Sequence, residues 1–185
     1  MQIKLILLDF DGTLASTEDA NMGAYLLALR EEGIELDTEE YRRRYFGMRC
    51  PEFLRELGFT NEEDIDRIRR RKIELYPTLF DSVHLNEPLW NFVQDFRAQG
   101  GKAWIVSTGQ KENIENVLNY LNIKDKVDGI LTSSDVREPK PSPEAFLKAM
   151  EIEGVTPAET LIFEDSPVGI AAAKASGAPY FKVKL

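Results

Sequence analysis

"LILLDFDGTLAST", residues 5–17, joins an apolar run to two aspartates, Asp9 and Asp11, with a single phenylalanine between them. An aliphatic run that ends abruptly in acids has the form of a buried strand reaching a polar edge. Two readings of the acids are open. One aspartate caps a helix while the other starts a turn, since Asp is common in both places, or the pair stands at a strand end to do chemistry. The rest of the chain decides between them.

Short apolar runs recur at Ile3–Leu8, Ala103–Val106, Gly129–Leu131, Leu161–Phe163 and Tyr180–Val183, with helix-length amphipathic segments between the later ones. This alternation predicts a parallel sheet with helices on its faces, a Rossmann-like three-layer α/β core. Helix punctuation agrees. In "SPEAFLKAMEIEG", Ser142 is placed as an N-cap, Pro143 as the first helical residue and Gly154 just beyond the end; "SPVGIAAAKASGAP" repeats the device with Ser166, Pro167 and Gly177. From Ala15 to His84 there is helical periodicity but no convincing strand, as in "NEEDIDRIRRRKIELY", where Ile65, Ile68, Ile73 and Tyr76 recur at helix-like spacings. The basic runs at 42–44 and 67–72 lie among acidic residues and read as solvated helix faces. The expected organisation is a core domain of residues 1–14 and 85–185, interrupted by an all-helical domain of residues 15–84.

Composition narrows the function. At 185 residues with 43% hydrophobic and 30% charged residues, the chain has the make-up of a globular protein with a core of ordinary size. A formal net charge of −9 repels nucleic acid and anionic membrane, so neither is an expected partner. No apolar run nears the roughly 20 residues that span a bilayer, and no charged leader precedes a cleavable stretch, so a cytoplasmic location is expected. Cys50 is the single cysteine and has no disulfide partner; it reads as a small, partly buried side chain. With His84 as the single histidine, histidine-rich zinc sites and paired histidine catalysts are excluded. Carboxylates, hydroxyls and lysine must carry any catalysis.

In a doubly wound sheet, ligands bind where loops leave the carboxyl ends of the strands. The first strand ends in Asp9 and Asp11, and the second, in "IVSTG", ends in Ser107 and Thr108. Lys140 lies in "EPKPSP" after the third, and the fourth ends in Glu164 and Asp165. Clustered carboxylates repel one another unless a cation is present, and hard oxygen ligands in this number suit Mg²⁺. Ser107 and Lys140 add a hydrogen-bond donor and a fixed positive charge for oxygens that gain charge in a transition state. The constellation reads as phosphoryl transfer.

"DFDGT", "VSTG", "KPSPEAF" and "FEDSPVGI" resemble, in order and across nearly the whole chain, motifs one to four of the haloacid dehalogenase-like phosphohydrolase superfamily. The helical insert after the first motif is similar to the small helical cap of the subfamily that includes phosphoglycolate phosphatase and β-phosphoglucomutase. The resemblance implies that Asp9 attacks phosphorus to form an aspartyl-phosphate and that Asp11 protonates the leaving oxygen, then activates water. It implies phosphoryl binding by Ser107, with Thr108 beside it, charge neutralisation by Lys140, and Mg²⁺ held by Asp9, the Asp11 carbonyl and Asp165, with Glu164 bound directly or through water. Arg49, in "FGMRCPE", falls where relatives with this cap place a substrate-recognition residue. The implied substrate is a small phosphorylated metabolite, a sugar phosphate or a phosphoglycolate-like compound, handled by a monomer. Relatives commonly continue for another strand and helix after "GAPYFKV", so the far edge of the sheet is expected to be short.

The alternatives are a β-phosphoglucomutase-like sugar phosphomutase and a non-catalytic phospho-ligand binding protein. Thr17 matches the cap-hinge threonine of the mutase, but Asn21 stands where that enzyme carries a histidine, which favours hydrolysis. A dehalogenase has no need of Asp11. A signalling receiver domain needs a phosphoacceptor at the end of a middle strand, and "AWIVST" offers none.

Overall fold

The computed structural model describes residues 2–46, 48 and 50–185. Strand β1, Leu5–Leu8, is buried at every position, as a strand covered on both faces must be. A tight turn and the two-residue strand β2, Ala15–Ser16, lead into helices α1 (Glu18–Glu31), α2 (Thr38–Arg44), α3 (Cys50–Glu56) and α4 (Glu62–Leu75). A 3₁₀ segment, Tyr76–Ser82, and strand β3, His84–Leu85, bring the chain back. Helices and strands then alternate: α5 (Glu87–Ala98), β4 (Lys102–Val106), α6 (Lys111–Tyr120), β5 (Gly129–Leu131), α7 (Glu144–Glu153), β6 (Thr160–Glu164), α8 (Pro167–Ser176) and β7 (Tyr180–Lys182).

The main sheet has the order β5-β4-β1-β6-β7 and is parallel throughout, with Leu5 opposite Lys102 on one side and Thr160 on the other. The chain fills one side of β1 and then crosses to the other. The winding therefore reverses between β1 and β6, and the crevice beyond their carboxyl ends is the natural binding edge. One face of the sheet packs Leu5, Leu7, Val106 and Ile162 against Phe146, Ala149 and Met150 of α7 and Ala172 and Ala173 of α8. On the other face, Phe92 of α5 meets Phe163, the neighbour of Ile162 along β6.

The chain forms two compact units, the first running through Thr17 and resuming at His84–Leu185, the second comprising Glu18–Val83. The second is helical, around Met22, Leu29, Tyr41, Tyr45, Phe53, Leu54, Ile65 and Ile68. Among the described residues, no helix is long and apolar enough to cross a membrane.

Three local expectations need correction. The segment from Ala15 to His84 is not free of strand, because its ends pair as the antiparallel β2–β3 ribbon, with Ser16 opposite His84. Helix α7 begins at Glu144 with Pro143 as its cap residue, and Ser142 Oγ accepts from the Glu144 N–H at 3.3 Å. Lys72, at the end of a basic run read as solvated, is 4% exposed and continues the buried stripe of Ile65 and Ile68. Its Nζ lies 4.4 Å from the Tyr76 ring centroid and 5.1 Å from that of Tyr25, so two aromatic faces receive the ammonium. Ser166, Pro167 and left-handed Gly177 punctuate α8 as expected, with Ser166 Oγ accepting from the Gly169 N–H.

Candidate active site

Asp9 sits one residue beyond β1, and its N–H donates to the Phe163 carbonyl at 3.0 Å, which extends the β1–β6 pairing to the sheet edge. Phe10 is buried and anchors the turn, its carbonyl accepting from the N–H groups of Thr13, Leu14 and Ala15. Gly12 has φ +84°, and a Cβ there would stand 2.7 Å from Asp165 Oδ2. Glycine is required both by the backbone and by the carboxylate.

Lys140 reaches the same place from the loop before α7. Its Nζ donates to Asp9 Oδ1 at 2.6 Å, Glu164 Oε1 at 2.7 Å and the Val106 carbonyl at 2.8 Å. An ammonium has three protons, and all are used. The carbonyl that ends β4 and the carboxylates that follow β1 and end β6 thus meet on one cation.

Glu164 is fully buried, and its second oxygen, Oε2, accepts from Ser166 N–H and Oγ at 2.8 and 3.0 Å. Gly169 makes room for it, since a Cβ there would fall 1.6 Å from Oε1. Asp165 Oδ1 accepts from Thr13 Oγ1 at 3.0 Å. On the other flank, Thr17 Oγ1 donates to Asp11 Oδ1. A Cβ at Gly109 would stand 3.3 Å from both Asp11 Oδ2 and Ser107 Oγ, so these two groups border the same glycine. Ser107 is placed by its N–H bond to the Leu131 carbonyl, and its Oγ accepts from Gly109 N–H.

The structure therefore gathers Asp9, Lys140, Glu164 and Asp165 around one point, with Asp11 and Ser107 meeting at Gly109. Thr108 is exposed in the loop after β4. Arg49 lies outside the described residues. In sequence, Thr13 reads as a residue that shapes the "DGT" turn and Ser166 as a helix cap, while Gly109 and Gly169 carry no assigned role. Their signal was proximity to the motif acids, but the contacts run between segments as far apart as 152 residues.

Burial is the main force on Asp9 and, aided by the charges of Glu164 and Asp11, pushes its pKa up to about 7 despite the opposing pull of Lys140. Burial alone would lower the Lys140 ammonium, but Asp9 and Glu164 overcome it and hold the pKa above the ordinary lysine value. One lysine does not balance the acids around it. Carboxylate oxygens of Asp9, Glu164 and Asp165 lie within 4.8 Å of one another, a hard-oxygen set that fits a divalent cation such as Mg²⁺.

The family profile of haloacid dehalogenase-like hydrolases matches residues 6–183. The chain belongs to the haloacid dehalogenase-like hydrolases. Fructose-1-phosphate phosphatase YqaB of Escherichia coli (strain K12) is 30% identical over 186 residues, spanning 97% of this chain and 96% of that protein. Validoxylamine A 7'-phosphate phosphatase of Streptomyces hygroscopicus subsp. limoneus is 28% identical over 180 residues, spanning 94% of this chain and 82% of that protein. The crystal structure of CbbY from Rhodobacter sphaeroides in complex with phosphate superposes with a TM-score of 0.86 at 26% identity, covering 100% of this chain and 87% of that one. Among haloacid dehalogenase-like hydrolases this chain is a phosphatase, a phosphoric monoester hydrolase.

Proposed function

We propose that the protein is a Mg²⁺-dependent phosphohydrolase of a small phosphorylated metabolite, acting through an aspartyl-phosphate on Asp9. The observation that carries this reading is the arrangement about Lys140: the ammonium occupies Oδ1 of Asp9 and leaves Oδ2 as the oxygen for attack on phosphorus. Attack by Oδ2 breaks the bond from phosphorus to the ester oxygen, and Asp11 gives that oxygen a proton. Asp11 then takes a proton from the water that attacks the phosphorus of the aspartyl-phosphate, which releases phosphate and restores Asp9. Thr17, bonded to Asp11 Oδ1, directs this proton traffic through Oδ2. Ser107 holds a phosphoryl oxygen, with Thr108 in the loop beside it.

Asp9, Asp165 and the Asp11 main-chain carbonyl would hold Mg²⁺, with Glu164 acting through water because three of its acceptor positions serve Lys140 and Ser166. Bound there, Mg²⁺ supplies positive charge that offsets the acids and the phosphoryl oxygens. The relatives support a sugar phosphate or a similarly small ester as substrate, since YqaB is named for fructose 1-phosphate and the Streptomyces hygroscopicus enzyme for validoxylamine A 7'-phosphate. We assign Glu18–Val83 as the cap of the family, with Arg49 as its substrate-recognition residue. Substitutions in the β2–β3 ribbon that connects it should then change kcat and KM together.

Hydrolysis is favoured over phosphomutase chemistry by Asn21, which replaces the mutase histidine. A screen of small phosphomonoesters, each with Mg²⁺ and with EDTA, tests the reading. Phosphate release with Mg²⁺ and none with EDTA is expected. Conversion of β-glucose 1-phosphate to glucose 6-phosphate, primed by a bisphosphate and faster than phosphate release, would replace it with the mutase.

A further inference from the structure

Asn86 stands between β3 and α5, half-buried, and each of its four polar groups is engaged. Its N–H donates to the Leu14 carbonyl at 2.8 Å, and its carbonyl accepts from the Trp90 N–H at 2.8 Å as the first bond of α5. Its side-chain Oδ1 caps the helix by accepting from the Leu89 N–H at 3.3 Å. That bond fixes which end of the amide is oxygen, so the other end is a donor. Nδ2 donates to the Thr13 carbonyl at 3.0 Å, 73 positions back in the chain.

Thr13 is fully buried, and a buried carbonyl needs a donor. The turn itself holds Thr13 loosely: its N–H reaches the Phe10 carbonyl only at 3.4 Å, and that oxygen is shared with Leu14 and Ala15 at 3.0 Å each. The bond from Asn86 is the shorter of the two that Thr13's peptide groups make. From the same residue, Thr13 Oγ1 donates to Asp165 Oδ1 at 3.0 Å, while the missing Cβ of Gly12 leaves room for Oδ2. Asp165 therefore takes its place from Gly12 and Thr13, and Thr13 takes its own from Asn86.

We propose that Asn86 is a positioning residue for the metal, an inference that rests on the Mg²⁺ reading of the site proposed above. Asn86 fixes the Thr13 peptide, and through the Thr13 hydroxyl it sets the direction of Asp165, one of the groups that would hold Mg²⁺. An amide suits both tasks, because one side chain carries an acceptor for the helix and a donor for the turn. Serine and aspartate cap helices as well as asparagine does, but neither brings an N–H to Thr13. The same bond ties the residue that follows β3 to the turn that precedes β2, so both ends of the ribbon are fastened to the acids: Thr17 to Asp11, and Asn86 through Thr13 to Asp165.

Calorimetric titration of Mg²⁺ into the substrate-free protein tests the assignment. Asn86→Ser keeps the cap and deletes the donor, and Mg²⁺ affinity should fall about 3- to 5-fold, the effect of one hydrogen bond, while kcat at saturating Mg²⁺ changes little. In a Thr13→Val background, Asn86→Ser should cost no further affinity, since the hydroxyl through which Asn86 acts is gone. Pro88→Ala relaxes the same helix start without touching Thr13 and should bind Mg²⁺ as wild type does. Wild-type affinity in Asn86→Ser, losses that multiply in the double variant, or an equal loss in Pro88→Ala overturns the role of Asn86 and leaves the Mg²⁺ reading standing. A wild type that binds no Mg²⁺ overturns that reading and the role of Asn86 with it.

Discussion

Lys140 Nζ lies 2.6 Å from Asp9 Oδ1 although the two residues are 131 positions apart in the chain. The contact ties the loop before α7 to the end of the central strand, and it keeps Asp9 in partnership with a cation whether or not a metal is present. The lysine side chain is 2% exposed, so the pair is desolvated and each partner depends on the other. What the protein does at this site follows from that dependence.

Removal of the lysine leaves Asp9 and Glu164 as neighbouring buried carboxylates with no counter-ion. Lys140→Met should therefore cost about 3–5 kcal/mol of stability in urea unfolding at pH 8 and abolish phosphate release. The loss should shrink at pH 6, because protonation of Asp9 relieves the repulsion. A penalty that is the same at both pH values would show that the pair is not the source.

Asp9 has a folded-state pKa of about 7 against an ordinary 3.8. Between these values the folded protein holds a proton that the unfolded chain lacks, so this group favours folding increasingly as pH falls from 7 toward 4 and opposes it above 7. Proton and Mg²⁺ compete for the same carboxylate. Titration calorimetry should show Mg²⁺ affinity falling about 10-fold per pH unit below 7, with proton release on binding. At about 100 times its Kd, Mg²⁺ should add about 2.7 kcal/mol of stability. The same Mg²⁺ concentration should stabilise more at pH 7.5 than at pH 5.5.

Glycine substitutions separate backbone strain from crowding of the acids. Gly33→Ala meets no atom within 4 Å and has only its φ of +79° to oppose it, so about 1 kcal/mol is expected. Gly169→Ala has no such backbone penalty but drives into Glu164, and more than about 2 kcal/mol is expected as the carboxylate is displaced from Lys140. Gly12→Ala suffers both effects and should weaken Mg²⁺ binding most, because it presses on Asp165, a direct ligand in the proposed site. Thermal unfolding of the three variants with and without Mg²⁺ checks the ranking.

Thr13 is a positioning residue for the acid cluster, since its hydroxyl is bonded to Asp165 and is fully buried. Thr13→Val keeps the shape and deletes that bond. The Mg²⁺ concentration for half-maximal activity should rise about 5- to 10-fold, the equivalent of the roughly 1 kcal/mol of a typical hydrogen bond, while kcat at saturating Mg²⁺ changes little. A fall in kcat at every Mg²⁺ concentration would argue for a structural role instead.

The five strands of the main sheet and the acids at their ends were legible because both signals are local: an apolar run, then a change of residue type. The β2–β3 ribbon was not, because two residues a side are too few to show a period of two. Lys72 was misread because charge is a local property: the Tyr76 ring lies one turn further along the same segment, but the Tyr25 ring comes from α1, and only the fold brings it over the ammonium. Lys140 was named from its motif, yet nothing around it in sequence shows that it is buried with three acceptors waiting. Thr13 and Ser166 illustrate the same limit, since each was visible as a turn or cap residue, and Gly169 was not singled out at all; only the folded chain shows which acid each serves.

The central claim is that Asp9 carries the phosphoryl group between substrate and water. Wild-type enzyme mixed with a good phosphomonoester substrate and Mg²⁺, quenched in acid within one turnover and reduced with borohydride, should yield homoserine at position 9, detected by peptide mass spectrometry. Asp9→Asn should yield none and release no phosphate, while Asp11→Asn should accumulate the adduct from a substrate whose leaving group departs without a proton, because the water step has lost its base. Phosphate release by wild type with no modification at position 9, or turnover retained by Asp9→Asn, would contradict the account.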